Sequence, residues 1–302
     1  MGNLIVNTTV SGVRQLEIDA KTFHNIGCPL IITGLATVLL TLFTLLKDTQ
    51  TLTSTRLVLS CAVIADGGHL ICLLTYLCVV ERADPTQAYL HSMLFYFKRF
   101  FETFRNWIVV VMAFEHFLFF YNPREFKAFW AVDFARKLAM LVALSSLIFH
   151  SLHAGYAIAF DRFYYRLNMK HTLSTQYYIT EWVYIIGMPF GLATMIYSTT
   201  MKWFEGESML HIQDTNPTMV KVEMAYRNIF FVFAFTTVPS ISILFVYILN
   251  EFYPDRLEEL ETIETLVATC LTHLTILNSG SKFFILILPI SYYRRLLITM
   301  FQ

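Results

Sequence analysis

The sequence predicts an all-α membrane protein: a seven-transmembrane helix bundle with a short C-terminal amphipathic helix. Three observations predict it. Of the 302 residues, 56% are hydrophobic and only 15% are charged, against about 45–50% and about 25% in an ordinary soluble domain. The apolar residues gather into seven runs, each near the ~20 residues that span a bilayer as a helix. The connections between the runs are short and polar, and Lys and Arg favour one alternating set of them.

The first run is Ile26–Leu46, without charge, and the second is Leu57–Val80, with Asp66 alone. The third, Tyr89–Phe120, is unusual in holding Lys98, Arg99, Glu102 and Arg105 as well as Glu115 near its end. Leu138–Phe160, Trp182–Met201 and Asn228–Asn250 are uncharged, and Leu266–Ile290 is broken only by Lys282. The chain therefore divides into an N-terminal segment (1–23), a transmembrane domain (24–289) and a surface helix (290–302). In that last segment Tyr292-Tyr293-Arg294-Arg295-Leu296-Leu297-Ile298 mixes basic and apolar residues, which suits a helix lying on the membrane. Phe160–Tyr178, between the fourth and fifth runs, alternates enough to suggest a short hairpin.

Residues 1–23 hold no apolar core followed by a small-residue cleavage site, so no secretory signal is expected. Eleven of the 22 Lys and Arg fall in connections on one side and seven on the other, with four inside the runs. Because basic residues in short loops stay cytoplasmic, this bias puts the N-terminus outside the cell. Asn7-Thr8-Thr9 is then a usable glycosylation acceptor. The last outer connection is acidic, with Glu251, Asp255, Glu258, Glu259, Glu261 and Glu264 against Arg256. Such a run draws cations, a basic amidated peptide among them.

Several function classes find no support. Lys+Arg and Asp+Glu are equal at 22 each, so net charge offers nothing to nucleic acid. None of the five cysteines forms a C-x-x-C pair, and His150-Ser151-Leu152-His153 lacks nearby carboxylates, so no metal site or cofactor is expected. A transporter would show inverted repeats or paired broken helices, and neither is visible.

Ordered motifs carry a resemblance. Ser60-Cys61-Ala62-Val63-Ile64-Ala65-Asp66 is similar to a Leu-Ala-x-x-Asp segment, and Glu115-His116-Phe117 to an Asp/Glu-Arg-Tyr triplet. Pro123 follows His116 by seven residues, Tyr197 follows Pro189 by eight, and Pro239 follows Phe233 by six. Asn278-Ser279 and Tyr293-Arg294 complete the series. Taken in order across nearly the whole chain, these residues resemble rhodopsin-like (class A) G-protein-coupled receptors. The departures resemble the divergent nematode type, FMRFamide-like peptide receptors and serpentine chemoreceptors. His116 stands for the central arginine, Lys282 begins the segment that replaces Asn-Pro-x-x-Tyr, and His91 replaces the outer cysteine.

The resemblance implies a plasma-membrane receptor that senses an extracellular ligand, most readily a neuropeptide and alternatively a small chemosensory molecule, and signals to a heterotrimeric G protein. It places Lys98, Glu102, Thr237 and Thr272 at the ligand. A cation at 98 suits a ligand carboxylate or polarised carbonyl. It sets Asp66, Arg105, Lys282, Asn278 and Ser279 together in the core, where Asp66 is expected to pair with Arg105, with Lys282 as a second partner, in place of a sodium ion. Glu115, His116 and Tyr197 fall at the G-protein end. From spacing alone, Glu102 has Lys98 and Arg105 as opposite charges on neighbouring turns.

Overall fold

The computed structural model describes residues 23–80, 88–121, 125–164, 179–204, 217–242, 245, 249 and 257–302. Almost all of these are helical, and no strand occurs among them. Among the described residues the long helices are α1 (Cys28–Lys47), α2 (Thr53–Val80), α3 (Ala88–Tyr121), α4 (Val132–Tyr164), α5 (Met188–Phe204), α6 (Pro217–Thr237) and α7 (Leu257–Lys282), seven in number. A short α8 (Ser291–Met300) follows. One helical turn, Phe126–Phe129, lies before α4.

Neighbour relations close the seven into a ring. α1 packs on α2 and α7, α2 on α4, α5 on α6, and α6 on α7, while α3 touches α2, α4, α5 and α6. The core between them is aliphatic and aromatic, with Leu59, Val63, Ile108, Met112, Ile229 and Phe233 almost wholly buried. The exterior is apolar too: Phe43, Leu46, Ile71, Leu144, Leu152, Met195, Phe231 and Phe235 are exposed. A ring that is apolar on both faces belongs in lipid. Five of its helical stretches are long and apolar enough to cross a bilayer: Asn25–Lys47, Thr53–Thr75, Tyr96–Tyr121, Ile179–Thr200 and Thr269–Ile287. The chain is thus a multi-pass membrane protein. The other two predicted runs lie partly where side chains or backbone are not described.

Several helices outrun their apolar runs. α6 starts at Pro217 and α7 at Leu257, both inside segments read as connections. Hydropathy marks the part of a helix that meets lipid, whereas the backbone ladder continues beyond it. Proline is well placed as the first residue of α6, where its missing N–H has no partner to lose. The hairpin expected over Phe160–Tyr178 is corrected at its start, since Phe160 lies in α4, which runs to Tyr164. Residues 165–178 lie outside the described residues, as does Asn7.

Small residues set two close approaches. A Cβ on Gly68 of α2 would lie 2.5 Å from the Phe101 ring of α3, and one on Gly280 would lie 3.5 Å from the Gly34 backbone of α1. The first lets an aromatic ring of α3 come close to the α2 backbone.

π-turns lie at Val183–Gly187 before α5 and Phe283–Ile287 after α7, as well as at Phe23–Gly27 before α1. The first has an identifiable cause. Pro189 has no N–H, so it cannot bond the carbonyls four and five residues before it, those of Ile185 and Tyr184. Asn106 Nδ2 donates to the Ile185 carbonyl at 2.9 Å, and Trp107 Nε1 to that of Tyr184 at 3.2 Å. Adjacent α3 residues therefore satisfy what the proline leaves open, as hydrocarbon requires.

Candidate functional site

One end of the ring encloses a cavity of about 250 Å³ between α2, α3, α6, α7 and the start of the α5 stretch. Lys98, Glu102, Thr237 and Thr272, the four sequence candidates, all line it. His69, Arg99, Arg105, Asn106 and Glu181 add to its polar wall, and Trp182, Ile185, Ile186 and Leu271 form apolar wall. Trp182 Nε1 donates to Ser240 Oγ at 3.2 Å, which ties the α5 stretch to the 3₁₀ turn Val238–Ser240 after α6.

The charge pairs differ from the spacing argument. Glu102 bonds Arg99, three residues earlier, at 3.1 Å rather than Lys98. Arg99 also lies 3.5 Å from Glu181. An i,i+3 partner competes with an i,i+4 partner on a helix, and Glu181 across the cavity draws the guanidinium to that side. Lys98 is left without a carboxylate within 4.0 Å among the described residues.

Beneath the cavity floor lies the ion-pair core. Lys282 Nζ donates to Asp66 Oδ2, and Arg105 lies 3.9 Å from Asp66 Oδ1. All three are buried, so Lys282 does not snorkel to the membrane surface. Arg105 further donates to Ser279 Oγ at 3.1 Å and to Asn106 Oδ1 at 3.3 Å. Asn278 turns the other way, donating to Thr236 Oγ1 of α6 at 3.1 Å. The five core candidates are thus adjacent, with Asn278 serving α6 and the rest serving Asp66.

At the opposite end, Glu115 is completely buried. It accepts from Thr55 of α2 and, at 2.9 Å, from Tyr226 of α6. His116 Nδ1 stands 3.3 Å from Glu223 Oε2 of α6 without hydrogen-bond geometry, and its ring packs on Phe120 and Tyr197. Tyr197 stacks on Phe230 of α6, and its hydroxyl has no hydrogen-bond partner among the described residues. Both Glu223 oxygens likewise lack one. This end therefore joins α2, α3, α5 and α6 through buried polar groups that are only partly satisfied.

A latch closes the same end. Asp48 caps the α1–α2 connection by accepting from the backbone of Gln50 (2.8 Å) and Thr51 (3.2 Å). Tyr293 of α8 donates to Asp48 Oδ2 at 3.0 Å and lies 2.8 Å from Thr51 Oγ1. Burial, with the Asp48 carboxylate beside it, holds the Tyr293 phenol well above the usual tyrosine range.

Glu223, Tyr226, Glu181, His69 and Asp48 were not singled out from sequence. Glu223 and Tyr226 fall in the Lys202–Arg227 segment that was read as a connection. Met219, Val222 and Tyr226 carry the helical spacing of Ile229, Phe230 and Phe233 back into it, which is the signal that extends the helix. No family model matches the chain, and no curated protein does either.

Proposed function

We propose that the chain is a G-protein-coupled receptor of the rhodopsin-like kind: seven membrane spans, an extracellular N-terminus, residence in the plasma membrane and no enzymatic activity of its own. The observation that carries this reading is the order of sites along one bundle. A ligand-sized cavity, a buried ion-pair core and an under-satisfied α3–α6 contact follow one another, and Arg105 belongs to the first two. A ligand that moves α3, α6 or α7 at the cavity changes the packing around Arg105 and Lys282, and through α3 and α6 it reaches His116 and Glu223. Helix shifts of an ångström or two are the usual currency of such transitions. Exposed Met140, Leu141 and Leu144 on α4 and Phe231 and Phe235 on α6 support lipid-facing surfaces on the two helices outside the five apolar stretches.

The ligand is proposed as a neuropeptide on the acidity of 251–264. The cavity volume favours the second reading, a chemosensory receptor, because about 250 Å³ lies below the ~300–1,000 Å³ of pockets for drug-sized ligands. A transfected-cell screen of amidated peptides and small organic molecules, read by second messenger, tests the proposal. A concentration-dependent response is expected. Tracer uptake by reconstituted vesicles, with no second-messenger response to any compound, would replace the receptor by a transporter.

A further inference from the structure

The cavity and the core below it hold four cationic side chains, Lys98, Arg99, Arg105 and Lys282. Among the described residues they are met by three carboxylates, Asp66, Glu102 and Glu181. Asp66 takes Lys282 and Arg105, while Arg99 takes both Glu102 and Glu181. Lys98 is the cation with no carboxylate in range among the described residues. His69, on the facing wall from α2, is 1% exposed, and its Nε2 lacks a hydrogen-bond partner. It adds no negative charge in either protonation state.

A cation inside a membrane bundle that meets no carboxylate within 4.0 Å among the described residues is costly. The His69 Nε2, a buried polar atom without a hydrogen-bond partner among the described residues, adds to the cost. Both are relieved by a ligand that brings one negative charge and an acceptor or donor beside it. Trp182, Ile185, Ile186 and Leu271 make an apolar part of the wall, beside the Asn106 amide and the hydroxyls of Thr236, Thr237, Ser240, Thr272 and Thr275, so such a ligand has hydrocarbon to offer the first group and is larger than a bare halide.

Resting on the receptor reading for its site, we propose that the cavity binds a small organic acid whose single carboxylate ion-pairs with Lys98 and whose apolar body packs on Trp182, Ile185 and Leu271. A carboxylate on an ammonium is a charge-assisted pair, which the matching uncharged amide cannot form. The cavity volume fits an acid of a few to about ten carbons, which is the small-molecule form of the receptor reading.

The test uses the full chain purified into lipid nanodiscs, without a G protein. Thermal unfolding is followed with the straight-chain monocarboxylates of four to eight carbons and benzoate, each against its amide, in chloride and in sulfate buffer. At ten times its dissociation constant an acid is expected to raise the midpoint by about 3 °C, while its amide does nothing. Lys98→Met is expected to abolish the shift, and Lys98→Arg to keep it. The proposal is overturned if no acid exceeds its amide, if the shift survives in Lys98→Met, or if chloride alone reproduces it. An acid that stabilises the chain through Lys98 but evokes no signal in cells would overturn the receptor reading and leave this inference standing. A second-messenger response to an uncharged compound, unchanged in Lys98→Met, would do the reverse.

Discussion

Lys282 at the end of α7 donates a hydrogen bond to Asp66 in the middle of α2, with Arg105 of α3 3.9 Å from the other carboxylate oxygen. One anion holds two cations from two helices, and each partner is at most 4% exposed. Breaking a buried pair by removing one partner costs about 3–5 kcal/mol because a charge is stranded. Asp66→Asn strands two. It is expected to lower the unfolding midpoint and surface expression more than Lys282→Met, which leaves Asp66 with Arg105. Midpoints of the detergent-purified variants and cell-surface counts measure both. Improved expression of Asp66→Asn would contradict the pairing.

The Asn106–Ile185 contact makes a prediction that depends on Pro189. Asn106→Leu orphans a buried carbonyl, at about 1–3 kcal/mol. Pro189→Ala returns a backbone donor to that carbonyl. The Asn106→Leu cost is therefore expected to shrink in the Pro189→Ala background, and a double-mutant cycle of unfolding midpoints reads the difference. Equal costs in both backgrounds would detach the side chain from the proline.

Gly68 lies under the Phe101 ring. A Cβ there meets three ring atoms at 2.5–2.7 Å. Gly68→Ala is expected to destabilise by about 1–3 kcal/mol through overpacking, and Phe101→Leu in the same chain to recover part of the loss. Thermal unfolding of the three variants checks it.

Tyr293 ties α8 to the α1–α2 connection through Asp48 and Thr51. Tyr293→Phe is expected to cost about 0.5–1.5 kcal/mol, or more where Asp48 is left short of a donor. It should also speed hydrogen exchange over Ser291–Met300. The phenol's raised pKa fixes the pH dependence. A proton held more tightly in the folded state gives stability that is complete below the unfolded tyrosine pKa of about 10 and declines above it. The difference between wild type and Tyr293→Phe should therefore be flat from about pH 6 to 9 and narrow in stronger alkali. A difference that already falls between pH 6 and 8 would assign the effect to another group.

What sequence reading reached, and what it missed, follow from different physics. Charges in apolar runs are few, so Asp66, Arg105 and Lys282 had few possible partners. The cavity residues Lys98, Glu102, Thr237 and Thr272 came from spacing along a resembled framework, and they share one wall system because the helices keep helical period. Pairing on one helix was less legible. Whether Glu102 turns to Lys98 or Arg99 depends on Glu181, which arrives from a distant part of the chain. Glu223 was hidden because a hydropathy run starts at Asn228, although the helix carrying it starts at Pro217. Pro189 is legible in the sequence, but the π-turn before it and the two α3 side chains that cap the carbonyls it leaves open are products of tertiary packing.

The α3–α6 contact is where a receptor and any other membrane bundle differ most. Glu223 packs beside His116 with no hydrogen-bond partner on either oxygen, so little holds the two helices together there beyond apolar packing and the Tyr226–Glu115 bond. The direct measurement is guanine-nucleotide exchange on purified heterotrimeric G proteins of each major class. It compares empty nanodiscs with nanodiscs carrying wild type, Glu223→Ala or His116→Arg, all checked as folded by thermal unfolding. Exchange above empty nanodiscs for wild type, raised several-fold by Glu223→Ala and changed by His116→Arg, is the result expected of a receptor. No exchange above empty nanodiscs by any of the three, on any heterotrimer, would contradict it.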